Sequence, residues 1–430
     1  MNNEDICNLD KLPKYFAEVG QKRVCVIGCG AVGSIVAELL VKIGIKKLYL
    51  IDFDNFEKEN IYKSSSIYDI ECDAGKNKAI VLADRINSIF GMEIHGIASS
   101  VTNFGPGVLA SFDVIILALD NYAAKIYVNQ IWKTIPDKDR PLLVFGGTFE
   151  DIAQCYCIDG RSICLRDTVN EELLKNPLIR ASCTGINYKP GYIISEHIRT
   201  SALASMTCAV MMVDACKNYI LNKNYDLMNK DIVNKDIVYN SLQIRITTQV
   251  NKKICYDCIH YHPINDVRVL GNLDVFHSTV GDLLDEVTSD LGSLEYEICA
   301  PIKEFANVEY KNIIKSDYCA CCGTKLHGIY KHEFSIRYSQ LLCDHCRNEN
   351  KIVGDITKKK DAECIMAFTI DCDEELKCRT LYDIGFGIGS YITVKCMGPG
   401  TDAMDRDINI YTYCCGGDVR LLDVVTEMED

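Results

Sequence analysis

The chain has no excess of basic side chains: 46 Lys and Arg stand against 60 Asp and Glu, a net charge of −14. Affinity for the phosphate backbone of nucleic acid comes from Lys and Arg in excess, so general nucleic-acid binding is excluded. Long apolar runs are also missing. The most apolar stretch, ALASMTCAVMMV at 202–213, is about half the length of a spanning helix, and Asp214 and Lys217 follow it, so no membrane role is expected. The opening residues MNNEDICNLDKLPKYF are polar and acidic, without the basic start and apolar core of a secretory signal. These absences predict a cytoplasmic protein. Thiol reductants keep cysteine reduced there, which excludes a disulfide framework.

Cysteine itself is abundant, with 24 in 430 residues, and in a reducing compartment these read as metal ligands, nucleophiles or small buried residues. The 48% hydrophobic and 25% charged residues are ordinary for a globular protein of two or three domains.

From Arg23 to about Ile158, apolar runs alternate with helical patterns. RVCVIG, KLYLIDFD, FDVIILALD, PLLVFGGTF and IAQCYCI have the composition of strands buried on both faces. Between them, SIVAELLVKIG sets Ile35, Val36, Leu39, Leu40 and Ile43 on one helical face, and GKNKAIVLADRINSIFG closes on a glycine. The pattern predicts an α/β fold with a doubly wound, mainly parallel, Rossmann-like sheet. A long crossover (about 161–194), a helix (about 195–222) and a strand, SLQIRITTQV, complete a first domain, 1–263. A cysteine-rich α+β C-terminal extension, 264–430, contains a segment like a zinc ribbon at 317–348. Within it, TLYDIGFGIGSYITV faintly echoes 279–298, as two similar subdomains would.

Gly28, Gly30 and Gly33 form a GxGxxG turn between the first strand and its helix. Glycine lets backbone approach phosphate closely, and the helix presents its positive end. Asp52 follows at the end of the next strand, where an acid accepts from a ribose. This much suits a dehydrogenase. The segment IDFDNFEKENIYK adds Asp54, Asn60 and Lys63, GKNKA adds Lys78, and LALDNYAAK adds Asp120 at a strand end and Lys125 one helical turn later. Singly, Lys63 and Lys78 read as solvated lysines and the Asp120–Asn121 pair as a helix cap. The ordered combination outweighs those readings.

That ordered set of glycine turn, DxD, ExxN, Lys and DN resembles the ThiF/MoeB superfamily of adenylating enzymes, which includes the ubiquitin-activating enzymes. The likeness runs from about Arg23 to His262. It implies that Gly28, Gly30 and Gly33 line the phosphates of ATP, that Asp52 and Asp54 belong to the nucleotide site, and that Asp52 holds the ribose. It further implies that Asn60, Lys63 and Lys78 reach the phosphates and that Asp120 binds Mg2+. Relatives commonly pair through this domain, which implies a homodimer. Two departures stand out: Lys63–Ser64 replaces an Arg–Gln pair, and the N-terminal segment offers Lys11 and Lys14 where many members are arginine-rich. Lysine is a point charge without the bidentate grip of arginine.

Cys183 lies in the crossover where several members carry a nucleophile able to take an acyl group as a thioester, and Arg180 is near enough in sequence to lower its pKa. Cys208 reads as core. Cys319, Cys322, Cys343 and Cys346 form CxxC, 20 intervening residues and CxxC, a spacing that closes a tetrahedron around Zn2+ in a structural site with no open position. Cys255 and Cys258 match the second of two zinc-binding pairs in many relatives. The first pair is not intact, leaving Cys164, His260, His262, the later pairs or no metal at all as their complement.

The expected activity is ATP-dependent adenylation of the C-terminal carboxylate of a small ubiquitin-like protein, sulfur carrier or peptide, with transfer to Cys183 and onward to a carrier protein. Two rivals are a non-catalytic zinc-containing scaffold and a nicotinamide- or flavin-dependent oxidoreductase; the latter leaves Lys63, Lys78 and Asp120 without a task.

Overall fold

The computed structural model describes residues 13–62, 64–149, 152–159, 164–165, 201–222, 235–240, 245–250, 267–292, 295–301, 303–305, 308–310, 313–319, 321–332, 342–348, 362–397 and 408–415. Lys63, Arg180, Cys183, Cys255, Cys258, His260 and His262 lie outside the described residues.

The first region is one mixed sheet of order β3-β2-β1-β4-β5-β6-β7-β8. Its strands are β1 (Arg23–Ile27), β2 (Lys47–Ile51), β3 (His95–Ile97), β4 (Val114–Leu117), β5 (Leu142–Phe149), β6 (Ile152–Ile158), β7 (Lys235–Asn240) and β8 (Arg245–Val250). β1 to β5 are parallel, with Val26 opposite both Leu50 and Ile116 and Ile116 opposite Val144. β6, β7 and β8 then continue antiparallel. IAQCYCI is therefore β6, the return arm of a hairpin from β5 and not a further parallel strand. Two residues separate β5 from β6, too few for a parallel crossover.

The helices are α1 (Phe16–Val19), α2 (Ala31–Lys42), α3 (Ile70–Asp73), α4 (Lys78–Phe90), α5 (Pro106–Ala110), α6 (Tyr122–Lys133) and α7 (Ala202–Asn222). α7 begins at Ala202, and the earlier part of the helix expected from about 195 lies outside the described residues. Alternation along the strands divides the core in two. Val24, Val26, Leu48, Leu50, Ile116 and Val144 face α2, α4 and α7. Cys25, Ile27, Ile115, Leu117, Leu143 and Phe145 share the opposite core with α5 and α6. Both alternating sets are covered, which is why these strands read as unbroken apolar runs.

The second core does not stop at α6. It continues into a five-stranded sheet of order β16-β10-β17-β18-β9, through Leu283, Ile298, Ile392, Val394 and Tyr413. In chain order this region holds β9 (Arg268–Leu270), α8 (Val280–Leu291), β10 (Glu295–Cys299), β11 (Lys303–Phe305), β12 (Val308–Tyr310), β13 (Ile313–Tyr318), β14 (Lys325–His332), α9 (Asp344–Asn348), β15 (Ala362–Ile365), β16 (Ala367–Phe368), α10 (Glu374–Lys377), β17 (Tyr391–Met397) and β18 (Ile408–Cys415). A backbone clasp joins the two sheets: Gly105 N–H donates to Ile388 O at 2.7 Å and Gly107 N–H to Gly389 O at 2.8 Å. Gly389 has φ +67°, and a Cβ there would sit 2.6 Å from Val108 N, so only glycine fits.

The echo between 279–298 and the GFGIGS region does not mark two subdomains. β10 and β17 pair within the same sheet, Glu295 opposite Met397 and Ile298 opposite Val394, and Thr279 bridges Thr380. β14, β13 and β15 form a separate three-stranded sheet, tied to α10 through Asp373, which accepts from Lys315 Nζ at 3.0 Å and Tyr330 Oη at 2.8 Å. Among the described residues no helix is long and apolar enough to cross a membrane.

Candidate active site and metal centre

The glycine turn follows β1. Gly28 takes φ +95°, its N–H donates to Ile51 O at 2.8 Å, and a Cβ on it would lie 2.7 Å from Ala118 O. A Cβ on Gly33 would overlap the Gly28 carbonyl, so these two glycines let α2, the turn and the end of β4 close on one another. Gly30 differs. It is the N-cap of α2, no side chain caps that helix, and a Cβ on it would meet nothing within 4 Å. Open space above uncapped amides is a site for an anion. Cys29 within the turn is 1% exposed, a small filler as its sequence context indicates.

Asp52, beyond β2, is tied to this turn. Its Oδ2 accepts from Cys29 N–H at 2.6 Å and its Oδ1 from Asp54 N–H at 2.8 Å. Burial raises its pKa above the ordinary carboxylate value, opposed by the Lys78 charge and these two N–H donors. Lys78 is 6% exposed, and its Nζ lies 3.5 Å from Asp54 Oδ2. Asn77 holds this arrangement: its Oδ1 caps α4 through Ala79 and Ile80 N–H, while its Nδ2 donates to Asp52 O at 2.9 Å. The sequence signal for Asn77 is its place as the polar residue immediately before the helical pattern of 78–90, where an N-cap belongs. Turn, Asp52, Asp54 and Lys78 thus converge.

Asn60 sits on a short 3-10 turn, Lys58–Tyr62, and its Oδ1 accepts from Glu57 N–H at 3.2 Å. Ser64 N–H donates to Asn60 O at 2.9 Å. The next residue anchors this loop to α2, Ser65 N–H donating to Ser34 Oγ at 2.9 Å and Ser65 Oγ to Glu38.

Asp120 lies three residues past β4, exposed, and its carboxylate makes no hydrogen bond among the described residues. The helix cap is Asn121 instead, whose Oδ1 accepts from Ala124 N–H at 2.7 Å. The cap and the acid are therefore different residues, which leaves Asp120 free for a cation. Lys125 is 8% exposed and donates to Gly146 O at 3.2 Å. Burial lowers its pKa, opposed by Cys208 and Asp120. Cys208 is fully buried on α7 and burial raises its thiol to about 11, so it is core as its sequence context indicates.

The cysteine cluster is formed by β13, the turn after it and α9. The Sγ atoms of Cys319, Cys322, Cys343 and Cys346 all lie within 4.8 Å of one another, Cys322 and Cys343 at 3.5 Å. Thiolates on a tetrahedron of ~2.3 Å bonds would stand about 3.8 Å apart, so the set fits a metal ion. Gly323, at φ +72°, makes the tight turn. Burial opposes ionisation of Cys319, but backbone N–H groups of Cys343, Cys322 and Cys321 overcome it and draw its pKa down to about 6. Among the described residues, Cys319, Leu342 and Cys346 form the buried cluster here. Cys321 is exposed beside it.

Among known proteins, the ThiF family profile matches residues 13–265. "Ubiquitin-like modifier-activating enzyme 5" of Caenorhabditis elegans is 29% identical over 137 residues, covering 27% of this chain and 32% of that protein. Its Caenorhabditis briggsae counterpart is 31% identical over 137 residues, covering 27% and 31%. The chain spans about a third of the length of these curated relatives. Among solved structures, Escherichia coli MccB with ATP is similar at TM-score 0.42 and 21% identity, covering 56% of this chain and 68% of that one. PaaA is similar at TM-score 0.42 and 20% identity, covering 55% and 75%.

Proposed function

This chain belongs to the ThiF family, and on that premise we propose that it is an ATP-dependent adenylyltransferase acting on a C-terminal carboxylate. The observation that carries the reading is the convergence, at the carboxyl ends of β1, β2 and β4, of an open glycine turn, Asp52, Asp54, buried Lys78 and exposed Asp120. A carboxylate is a poor electrophile. Its oxygen attacks the α-phosphorus of ATP, the acyl–O–P bond forms, and the bond to the β-phosphate oxygen breaks as pyrophosphate leaves with the electron pair. The uncapped amides of α2 receive phosphate oxygens, Lys78 offsets the developing charge, and Asp52 takes the ribose through its remaining lone pairs. Asn60 and Lys63 complete the phosphate contacts. Mg2+ held by Asp120 would supply further charge neutralisation at the phosphates.

Cys183 is the proposed acceptor of the activated acyl group: its thiolate attacks the carbonyl carbon and AMP leaves. The substrate is a small ubiquitin-like protein, a sulfur carrier or a peptide with a free C-terminus, and a carrier protein receives the thioester. The setting is a cytoplasmic homodimer. Zn2+ at Cys319, Cys322, Cys343 and Cys346 closes a region whose described residues form a small core, and Cys255 with Cys258 contributes to a second metal site.

ATP–pyrophosphate exchange tests the reading, with small proteins and peptides each offered as free acid and as C-terminal amide. Exchange is expected with an acid and not with its amide. Asp120→Ala should lower it about a hundredfold or more. Cys183→Ala should spare exchange and stop the thioester. ATP binding without exchange by any acid would favour the scaffold, and binding of NADH in place of ATP would overturn the proposal.

A further inference from the structure

Among the described residues two lysines are buried, Lys78 and Lys125, and both lie at the carboxyl ends of the same sheet. Lys78 has its place in the nucleotide site. Lys125 has no structural return of similar size. It sits in the first turn of α6, Lys125 N–H bonding Asn121 O at 3.4 Å, where the helix dipole disfavours a cation. Burial of an ammonium is costly unless it is paired. Here Nζ makes one hydrogen bond, to Gly146 O at 3.2 Å, and its nearest aromatic ring, Tyr122, is 5.3 Å away. Among the described residues the other two N–H groups have no acceptor and no carboxylate lies within ion-pair distance, although the charge of Asp120 is near enough to favour the cation.

Its position limits which anion it can serve. In the order β2-β1-β4-β5, the glycine turn follows β1, Asp120 follows β4, and Gly146 is on β5, one residue past the last pairing of β4 with β5. Lys125 thus lies across β4 from the turn that receives the phosphates. Gly147, the next residue on β5, has space for a Cβ with nothing within 4 Å. In an in-line displacement the carboxylate attacks the α-phosphorus opposite the departing pyrophosphate, so with pyrophosphate received at the turn the carboxylate comes from the side away from it.

We propose that Lys125 is a substrate-binding residue whose ammonium holds an oxygen of the carboxylate being activated, between Asp120 and the open backbone at Gly147. This rests on the adenylation reading above. The same cation then stays beside the acyl group once it is joined to AMP.

The test compares AMP with 5′-O-(glycylsulfamoyl)adenosine, a stable acyl-adenylate mimic, by calorimetry on the full chain. Wild type should bind the mimic at least about tenfold more tightly than AMP, the scale of one charge-assisted hydrogen bond. Lys125→Met should remove most of that preference and leave AMP affinity within about twofold, and Lys125→Arg should restore it. The methionine variant should melt no lower than wild type, because an apolar residue replaces a buried charge. Equal loss for AMP and mimic, an unchanged preference in Lys125→Met, or no preference in wild type would each overturn the proposal. A wild-type chain that binds neither AMP nor ATP sinks the adenylation reading itself, which separates the two failures.

Discussion

The glycine turn and the cysteine cluster are the two candidate sites for a charged ligand, and they differ in how much packed structure surrounds them. The turn is wedged between β1, β4 and α2, with a buried layer on each side of the sheet, and its backbone is set before any ligand arrives. The cysteine cluster has three buried residues of its own among those described. Four thiol groups crowd within 4.8 Å with few buried apolar residues around them among the described residues. A large core can preform a site, whereas a small one must be closed by the ligand it binds.

Perturbing each region sharpens that contrast. Cys319→Ser should lower the metal content by about one ion per chain and expose the segment 313–348 to protease, while the far-ultraviolet signal of the main sheet stays. If the protease pattern does not change, the cluster is not held by metal. Gly33→Ala should act on the other region, lowering stability in urea by about 3 kcal/mol because its methyl meets the Gly28 carbonyl in a packed layer. Asn121→Ala removes one cap bond and should cost about 1 kcal/mol, with nucleotide binding retained if Asp120 acts independently of the cap.

The smallest expected effect concerns the tether between the two parts of the extension. Glu375 N–H, Lys315 and Tyr330 hold the Asp373 carboxyl down to about 2. A carboxylate with a depressed folded pKa stabilises above its unfolded value, near ~4, and loses that contribution as pH falls from there toward 2. Acid should therefore loosen the β13–β14 hairpin from α10 in that window, read by hydrogen exchange, and Asp373→Asn should remove the dependence.

Much of the first region was legible because its signals are local. β1 and β4 are uninterrupted apolar runs, α2 and α4 end at Gly44 and Gly91 with positive φ, and GxGxxG sits at the strand-to-helix junction. Asp52, Asp54 and Lys78 could be brought together from sequence because strand ends in such a sheet share one edge. The antiparallel course of β6 was less legible, since an apolar run has the same composition in either direction. The burial of Lys125 was not legible at all. A lysine one turn into a helix reads as a solvated charge until the carbonyl of Gly146, distant in sequence, is placed above it.

Sequence alone determined the alternation of strand and helix, the place of the glycine turn, the acids at strand ends and the thiol spacing. Each depends on residues within a few positions of one another, where periodicity and backbone sterics act directly. Tertiary structure decided that the extension shares a core with the first region through Phe104, Ile388 and their glycine neighbours, and that β10 and β17 belong to one sheet. It also decided that Asn121 caps the helix while Asp120 stays exposed, and that a second lysine near the strand ends is buried. Burial and charge are properties of what surrounds a residue in space, and chain neighbours do not specify those surroundings.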